Sequence, residues 1–436
     1  MIRCLPISRC LKNHNEGHRA PMRQNNVLNK CIYICVLLAC LVPRYIATFK
    51  LNLGGLKISL YTIITIVVWF LFVRKIKITK TIECVFPFIW FLAIVLDVFR
   101  TVKFGVWFYY FVWISTAILF QQILYAENKV SKYKYIVRAI NDSLFLHLLM
   151  GLYEITTHHY LFETGNINYR LNGNVAIGMF HNLNDYATFL VTMLPFAIYK
   201  LFSRCNIVFR LYYLFISIVS FFLIFRSESR AALLACIIML CIYLYLYMTH
   251  TSKVRIFLIA IISLFFVLWF LPSHNEGISS FIAANEVGVD GVNGRSDVAR
   301  LNLILNGLYF LRITNGFGVG AGNLYAWLEH KAIYPIGDLL FIHNWYVEVL
   351  VTFGVIFFIL YILFHGRILF LIIKNCNKGA QICNLNNSLL ISFVGFSVVS
   401  ISSSSNIYSE WVWMYLILIS TYTMDLSRQK IKVNGI

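Results

Sequence analysis

Apolar residues come along this chain in long runs separated by short polar and basic stretches. A helix needs about 20 mostly apolar residues to cross a bilayer. About twelve runs approach that length: 31–49, 56–73, 82–99, 104–124, 136–156, 175–199, 207–225, 231–248, 255–272, 345–364, 387–405 and 411–425. The first carries Pro43 and Arg44, and run 175–199 opens on a polar cluster. The expected fold is all-α, a polytopic integral membrane protein of about twelve helices. One long outer loop, 273–344, falls between the ninth and tenth. The expected divisions are a basic tail over 1–30, helices one to nine over 31–272, the loop over 273–344, helices ten to twelve over 345–425 and a tail over 426–436.

Composition agrees with the pattern. The 436 residues are 60% hydrophobic and 13% charged, where a soluble domain carries about 25% charge. The net charge of +19 invites a nucleic-acid reading, which its distribution excludes. Basic residues crowd alternate loops: the N-terminal tail, Arg74–Lys80, Lys129–Lys134 with Arg138, Lys200–Arg210, Lys253/Arg255, Arg367–Lys378 and Arg428–Lys432. These hold 25 of the 37 Lys and Arg residues. This is the positive-inside pattern. It puts both termini in the cytoplasm and loop 273–344 outside.

The eleven cysteines fall in expected helices, the N-terminal tail or inner loops. That argues against a disulfide framework, and no C-x-x-C metal spacing is present. Residues 1–21 read as dispensable, with Met22 opening a more ordinary membrane-protein start. His14 and His18 stand at i, i+4 in a tail with no other ligands.

Three polar clusters stand where lipid-facing helix does not explain them. Polar groups at membrane depth are costly and usually functional. The first is Gly178–Ala187, with Asn182, Asn184 and Asp185. Asn184 reads either as the N-cap of a helix starting near Asp185 or as part of a site wall. The second is the short turn Arg226-Ser-Glu-Ser-Arg230. Two outer arginines run against the charge rule, and Glu228 can satisfy one of them. Arg230 at a helix start suits a phosphate. The third is the long loop. Residues 297–312 have helical apolar spacing and predict an amphipathic helix, flanked or lined by Arg295, Arg300 and Arg312. Asn315–Asn323 carries four glycines in nine residues. Its spacing is not a dinucleotide fingerprint and no strand precedes it. The glycines serve a tight turn or the close approach of another backbone. His343 and Asn344 then lead into the next helix, with Glu348 one turn inside it. His343 reads either as an interfacial hydrogen-bonder or, beside outer arginines, as a group in phosphate-leaving-group chemistry.

In this order the clusters resemble the O-antigen ligase / O-antigen polymerase superfamily of bacterial membrane glycosyltransferases. Its Gly-x-Phe-x-Asn-Pro-Asn-x-(Phe/Tyr)-Ala motif is matched by Gly178, Phe180, Asn182, Asn184, Tyr186 and Ala187, with Leu183 for proline. Its Ser-Arg-(Gly/Ala) is Ser229-Arg230-Ala231. Its arginine some fifteen residues before a Pro-x-x-Gly-x-Gly turn lands on Arg300, with Asn315 at the proline position and Gly318, Gly320 and Gly322 following. Arg295 is the alternative arginine. Its His-Asn-x-Tyr-x-(Glu/Gln) and later Gly are His343, Asn344, Tyr346, Glu348 and Gly354, and Thr352 stands where an acidic residue is common. The resemblance covers roughly 175–365.

The resemblance implies an undecaprenyl-diphosphate-linked glycan donor, a glycan acceptor and no metal or other cofactor. It gives His343, Arg300 and Arg230 catalytic roles, and Arg295, Asn182, Asn184, Asn344, Glu348 and Arg226 substrate-binding roles. Polymerase is the first expectation, with a chain-length regulator as a possible partner beside the lipid bilayer, and ligase the alternative. A flippase or transporter is disfavoured because related halves with matching broken helices are not visible.

Overall fold

The computed structural model describes residues 21–41, 48–50, 57–75, 82–127, 131–161, 175–180, 183–203, 205–227, 229–247, 296–337, 339–376, 385–403 and 409–433. Its helices are α1 (Pro21–Leu41), α2 (Leu60–Phe72), α3 (Ile82–Leu96), α4 (Phe104–Ala126), α5 (Ser131–Thr157), α6 (Leu183–Leu201), α7 (Ile207–Arg226), α8 (Arg230–Tyr247), α9 (Ser296–Ile313), α10 (Leu324–Lys331), α11 (Trp345–Lys374), α12 (Leu385–Val399) and α13 (Glu410–Val433). Two three-residue strands, β1 (Thr48–Lys50) and β2 (Lys57–Ser59), pair antiparallel. Among the described residues the regular structure is otherwise helical, as expected.

Every apolar run within the described residues lies mostly on a helix, and run 255–272 lies outside them. Of the run at 31–49, the described residues are helical to Leu41 and strand at Thr48 and Phe49. Among the described residues three helices, α4, α7 and α11, are long and apolar enough to cross a membrane by length and composition. The apolar stretches at Val27–Leu41, Leu60–Phe72, Arg230–Leu246 and Leu385–Val399 are shorter. These helices mark an integral membrane protein.

Helices pack in neighbouring pairs, α1 with α5, α2 with α4, α6 with α7 and α12, α8 with α12, and α9 with α11. The centre is aromatic: Trp90 stands 4.7 Å from Trp413 and 6.2 Å from Trp345, ring centre to ring centre. Short connections make α6, α7 and α8 alternate in direction, so Leu183, Arg226 and Arg230 share one end of the bundle. The hydroxyl of Ser392 donates to Thr192 O at 2.6 Å. Phe396 and Phe189 both flank Trp411. The C-terminus of α12 therefore lies at that same end. Trp345 N donates to Ser400 O at 3.0 Å, which puts the start of α11 there as well.

The glycine-rich turn after α9 docks into a break in α11. Gly354 has φ 86° and ψ 174°, so the helix is interrupted there. An unbroken helix would pair Val355 N with Val351 O. Here Val355 N donates to Gly316 O, while Val351 O and Thr352 O accept from Val319 N and Gly320 N, each at 2.9 Å. The glycines thus serve a close backbone approach, as their spacing suggested. A Cβ on Gly318 would sit 2.6 Å from Gly354 N. The other side of the turn is held by the α3–α4 connection. Asp97 accepts from Ala321 N at 2.8 Å, and Asn323 accepts from Val102 N at 2.8 Å while donating to Arg100 O at 3.0 Å. Arg100 also donates to Gly318 O.

Candidate functional site

The loop helix expected over 297–312 is α9, Ser296–Ile313. It buries Ala299, Leu303 and Phe310 and exposes Leu308 and Ile313. Two buried asparagines on it grip the loop after α10. Asn302 donates to Pro335 O at 2.8 Å. Asn306 accepts from Ile333 N and Tyr334 N at 2.8 and 3.0 Å, and donates to Tyr334 O. Gly307 lets the helix approach Ile342 and Val351 closely, for a Cβ there would lie 2.9 and 3.0 Å from their side chains. Arg300 is seven residues earlier, on the same helix face, and so stands over the segment that carries His343.

The proximity registers electrostatically. His343 is pushed down to about 4, first by burial and then by the charge of Arg300. Both disfavour the imidazolium, so the ring is neutral at physiological pH. Its Nδ1 is buried and takes no hydrogen bond among the described residues. The structure thereby brings together two of the three residues singled out as catalytic.

The remaining candidates are placed as follows. Arg226 closes α7 and Arg230 opens α8, the first half-buried and the second exposed. They flank one turn at the same end of the bundle as His343. Asn344 is the N-cap of α11, and its side-chain oxygen accepts from Tyr346 N and Val347 N at 3.1 Å each. That oxygen is committed to the helix end. Glu348 is buried at 2% exposure, inside the bundle. Asn184 is half-buried in the first turn of α6. The N-cap reading of Asn184 is corrected: α6 begins at Leu183, ahead of it. Asn315 has φ 51°, whereas a proline ring holds φ near −65°. The family's proline could not occupy this conformation. Asn182, Arg295 and Glu228 lie outside the described residues.

One face of α5, unmarked by the sequence reading, carries the Gly178 segment. His147, Gly151 and Glu154 stand at i, i+4 and i+7, a single helix face. Glu154 accepts from Ile177 N and Gly178 N at 2.9 and 2.8 Å. Tyr186 donates to His147 O at 2.8 Å, and Gly151 makes room for that hydroxyl. Phe180 packs against His147 at 5.2 Å. The signal available in the sequence was a His and a Glu on one face of the run 136–156. The docking groups Asp97, Arg100 and Asn323 were likewise unmarked.

Comparison with known proteins completes the placement. Residues 215–362 match the family described as O-antigen ligase. The chain is also 30% identical over 291 residues to the teichuronic acid biosynthesis protein TuaE of Bacillus subtilis (strain 168), covering 65% of this chain and 59% of that protein. Both findings support the O-antigen ligase/polymerase family for this chain. It spans less than two thirds of the length of the curated relative it matches. The O-antigen ligase match contains Arg226, Arg230, Arg300, the glycine turn, His343, Asn344 and Glu348, while the Gly178 segment and its α5 clamp precede it.

Proposed function

We propose that this protein is a membrane glycosyltransferase that polymerises lipid-linked repeat units of a cell-surface polysaccharide on the outer side of a bacterial inner membrane, within a bundle of about twelve crossings. The observation that carries the reading is the pairing of Arg300 with a neutral, half-buried His343 whose Nδ1 takes no hydrogen bond among the described residues.

A hydroxyl of the acceptor repeat unit attacks the anomeric carbon of the donor glycan. The carbon–oxygen bond to the diphosphate breaks, and undecaprenyl diphosphate leaves with the electron pair. Arg300 and Arg230 stabilise the charge that develops on the diphosphate, with Arg295 as the alternative on the same loop. One electrostatic donor of this kind is worth roughly 3–4 kcal/mol. His343 orients the acceptor hydroxyl and receives its proton, a role worth about 10²–10⁴-fold. Neutral imidazole is the form that can accept a proton. Asn182, Asn184, Arg226 and the amide nitrogen of Asn344 shape the sugar and phosphate subsites, and Glu348 supports them from within the bundle.

The polymer-forming reading draws on the Bacillus relative, whose name refers to biosynthesis of teichuronic acid. The ligase reading, transfer of finished polymer to lipid A–core, is favoured by the description of the matching family. Deletion of the gene separates them. Loss of the polymer ladder with single repeat units surviving on undecaprenyl diphosphate or lipid A–core supports polymerase. Full-length polymer stranded on undecaprenyl diphosphate supports ligase. Complementation with Arg300→Ala or His343→Ala is expected to yield no glycan product at normal membrane abundance. A fully active His343→Ala would refute the mechanism.

A further inference from the structure

The Gly178 segment has no regular secondary structure over 175–177, so its backbone groups need partners from elsewhere. They come from the end of α5. One carboxylate oxygen of Glu154, a residue 1% exposed, accepts two successive N–H groups, Ile177 N at 2.9 Å and Gly178 N at 2.8 Å. Just beyond the helix, Tyr160 donates to Val175 O at 2.9 Å. The segment is therefore tied at Val175, Ile177 and Gly178, immediately before Asn182 and Asn184. The second of these donors belongs to a residue in the left-handed region: Gly178 has φ 54°. A Cβ there would also come within 3.3 Å of the Tyr186 ring. Tyr186 is anchored to the same face of α5 through His147 O.

We propose that Glu154 is a positioning residue for the glycosyl-transfer site, fixing the path of residues 175–180 and so the approach of Asn184, at the start of the next helix, to the donor glycan. The proposal rests on the catalytic reading given above. Glu154 acts here as a double hydrogen-bond acceptor, a task an amide oxygen performs equally well. Its charge is not what the geometry uses. Removing the acceptor leaves two adjacent buried donors without partners, and the segment relaxes away from α5. Displacement of a positioning element by about 1 Å costs up to about a hundredfold in rate.

The test uses the full-length protein in detergent or membranes, with the lipid-linked repeat unit isolated from the deletion strain as donor. Two readouts are taken: amide hydrogen exchange of the peptide covering 175–180, and kcat and KM for that donor. Glu154→Ala is expected to speed exchange and to lower kcat/KM by about tenfold to a hundredfold. Glu154→Gln is expected to restore slow exchange and bring kcat/KM to within about threefold of the parent. Unchanged exchange in Glu154→Ala would overturn the clamp. Faster exchange with unchanged kcat/KM would overturn the positioning role. A Glu154→Gln protein as impaired as Glu154→Ala would show that charge, not acceptor geometry, is used. Where Glu154→Ala does not accumulate, Tyr160→Phe carries the test. It removes only the Val175 tie, and it must raise exchange and KM together, or the inference fails. His343→Ala is run alongside. Its full activity would sink the catalytic reading, and with it the site that Glu154 positions, while leaving the exchange result to stand separately.

Discussion

Gly318→Ala should be among the most destabilising single-methyl additions available in this protein. The added Cβ would lie 2.6 Å from Gly354 N, 2.7 Å from Thr352 O and 2.8 Å from Val351 O. All three are backbone atoms, so no side chain can swing aside. Gly318 also has φ 76°, which costs an L-residue roughly 1–2 kcal/mol. Relief of the clash requires the turn to withdraw from α11. That breaks the bonds from Val319 N, Gly320 N and Val355 N, each worth about 0.5–1.5 kcal/mol net. The expected loss is about 3–6 kcal/mol. Two companion variants calibrate it. Gly316 has φ 80° but only the Val355 side chain near its Cβ position, at 3.5 Å. Gly316→Ala should therefore cost only the strain, about 1–2 kcal/mol. Gly366 has nothing within 4 Å, and Gly366→Ala in the middle of α11 should be neutral or slightly stabilising. Thermal unfolding of purified protein in one detergent gives the order of Tm values: Gly366→Ala highest, Gly316→Ala below the parent, Gly318→Ala lowest. A Gly318→Ala protein as stable as Gly366→Ala would refute the docking of the turn into the break.

The same end of the bundle yields three further expectations. Asn344→Ala removes the cap of α11 and should cost about 0.5–2 kcal/mol, while Asn344→Asp, which keeps the accepting oxygen, should hold its Tm; equal losses would rule out capping. Asp97→Ala strands the buried Ala321 N–H and should cost about 1–3 kcal/mol, read as a lower Tm and easier proteolysis within 315–323. His343, lowered from 6.5 to about 4, binds fewer protons folded than unfolded between those pH values, so its contribution to stability rises with pH through that window and is lost as pH falls through it. Subtracting the Tm–pH profile of His343→Asn from that of the parent should show a positive slope between pH 4 and 6.5, and a flat difference would show that the ring is not held neutral.

Much of the helical layout was legible because it is written locally. Apolar runs of spanning length and helix-compatible spacing mark α2 to α8 and α11 to α13, and the spacing over 297–312 marks α9. The candidate arginines and His343 were found because polar groups are expensive at membrane depth and so stand out against a lipid-facing background.

What tertiary structure alone decided is which backbone groups meet across long stretches of chain. The break at Gly354 lies inside a run that reads as uninterrupted helix, and it is stable only because Gly316, Val319 and Gly320 supply the partners that helix would have supplied. Those residues are not sequence neighbours, and no local periodicity records the pairing. Likewise Asn184 was read as a cap or a site wall and Asn344 only as a binding residue, and only the observed helix starts make Asn344 the cap and Asn184 a first-turn residue. Glu154 looked like one polar residue in an apolar run until the fold laid Ile177 and Gly178 against it. A hydrogen-bond donor in an irregular segment must find an acceptor, but the sequence sets only the need. The packing of α5 against α6 and the segment before it sets who meets it.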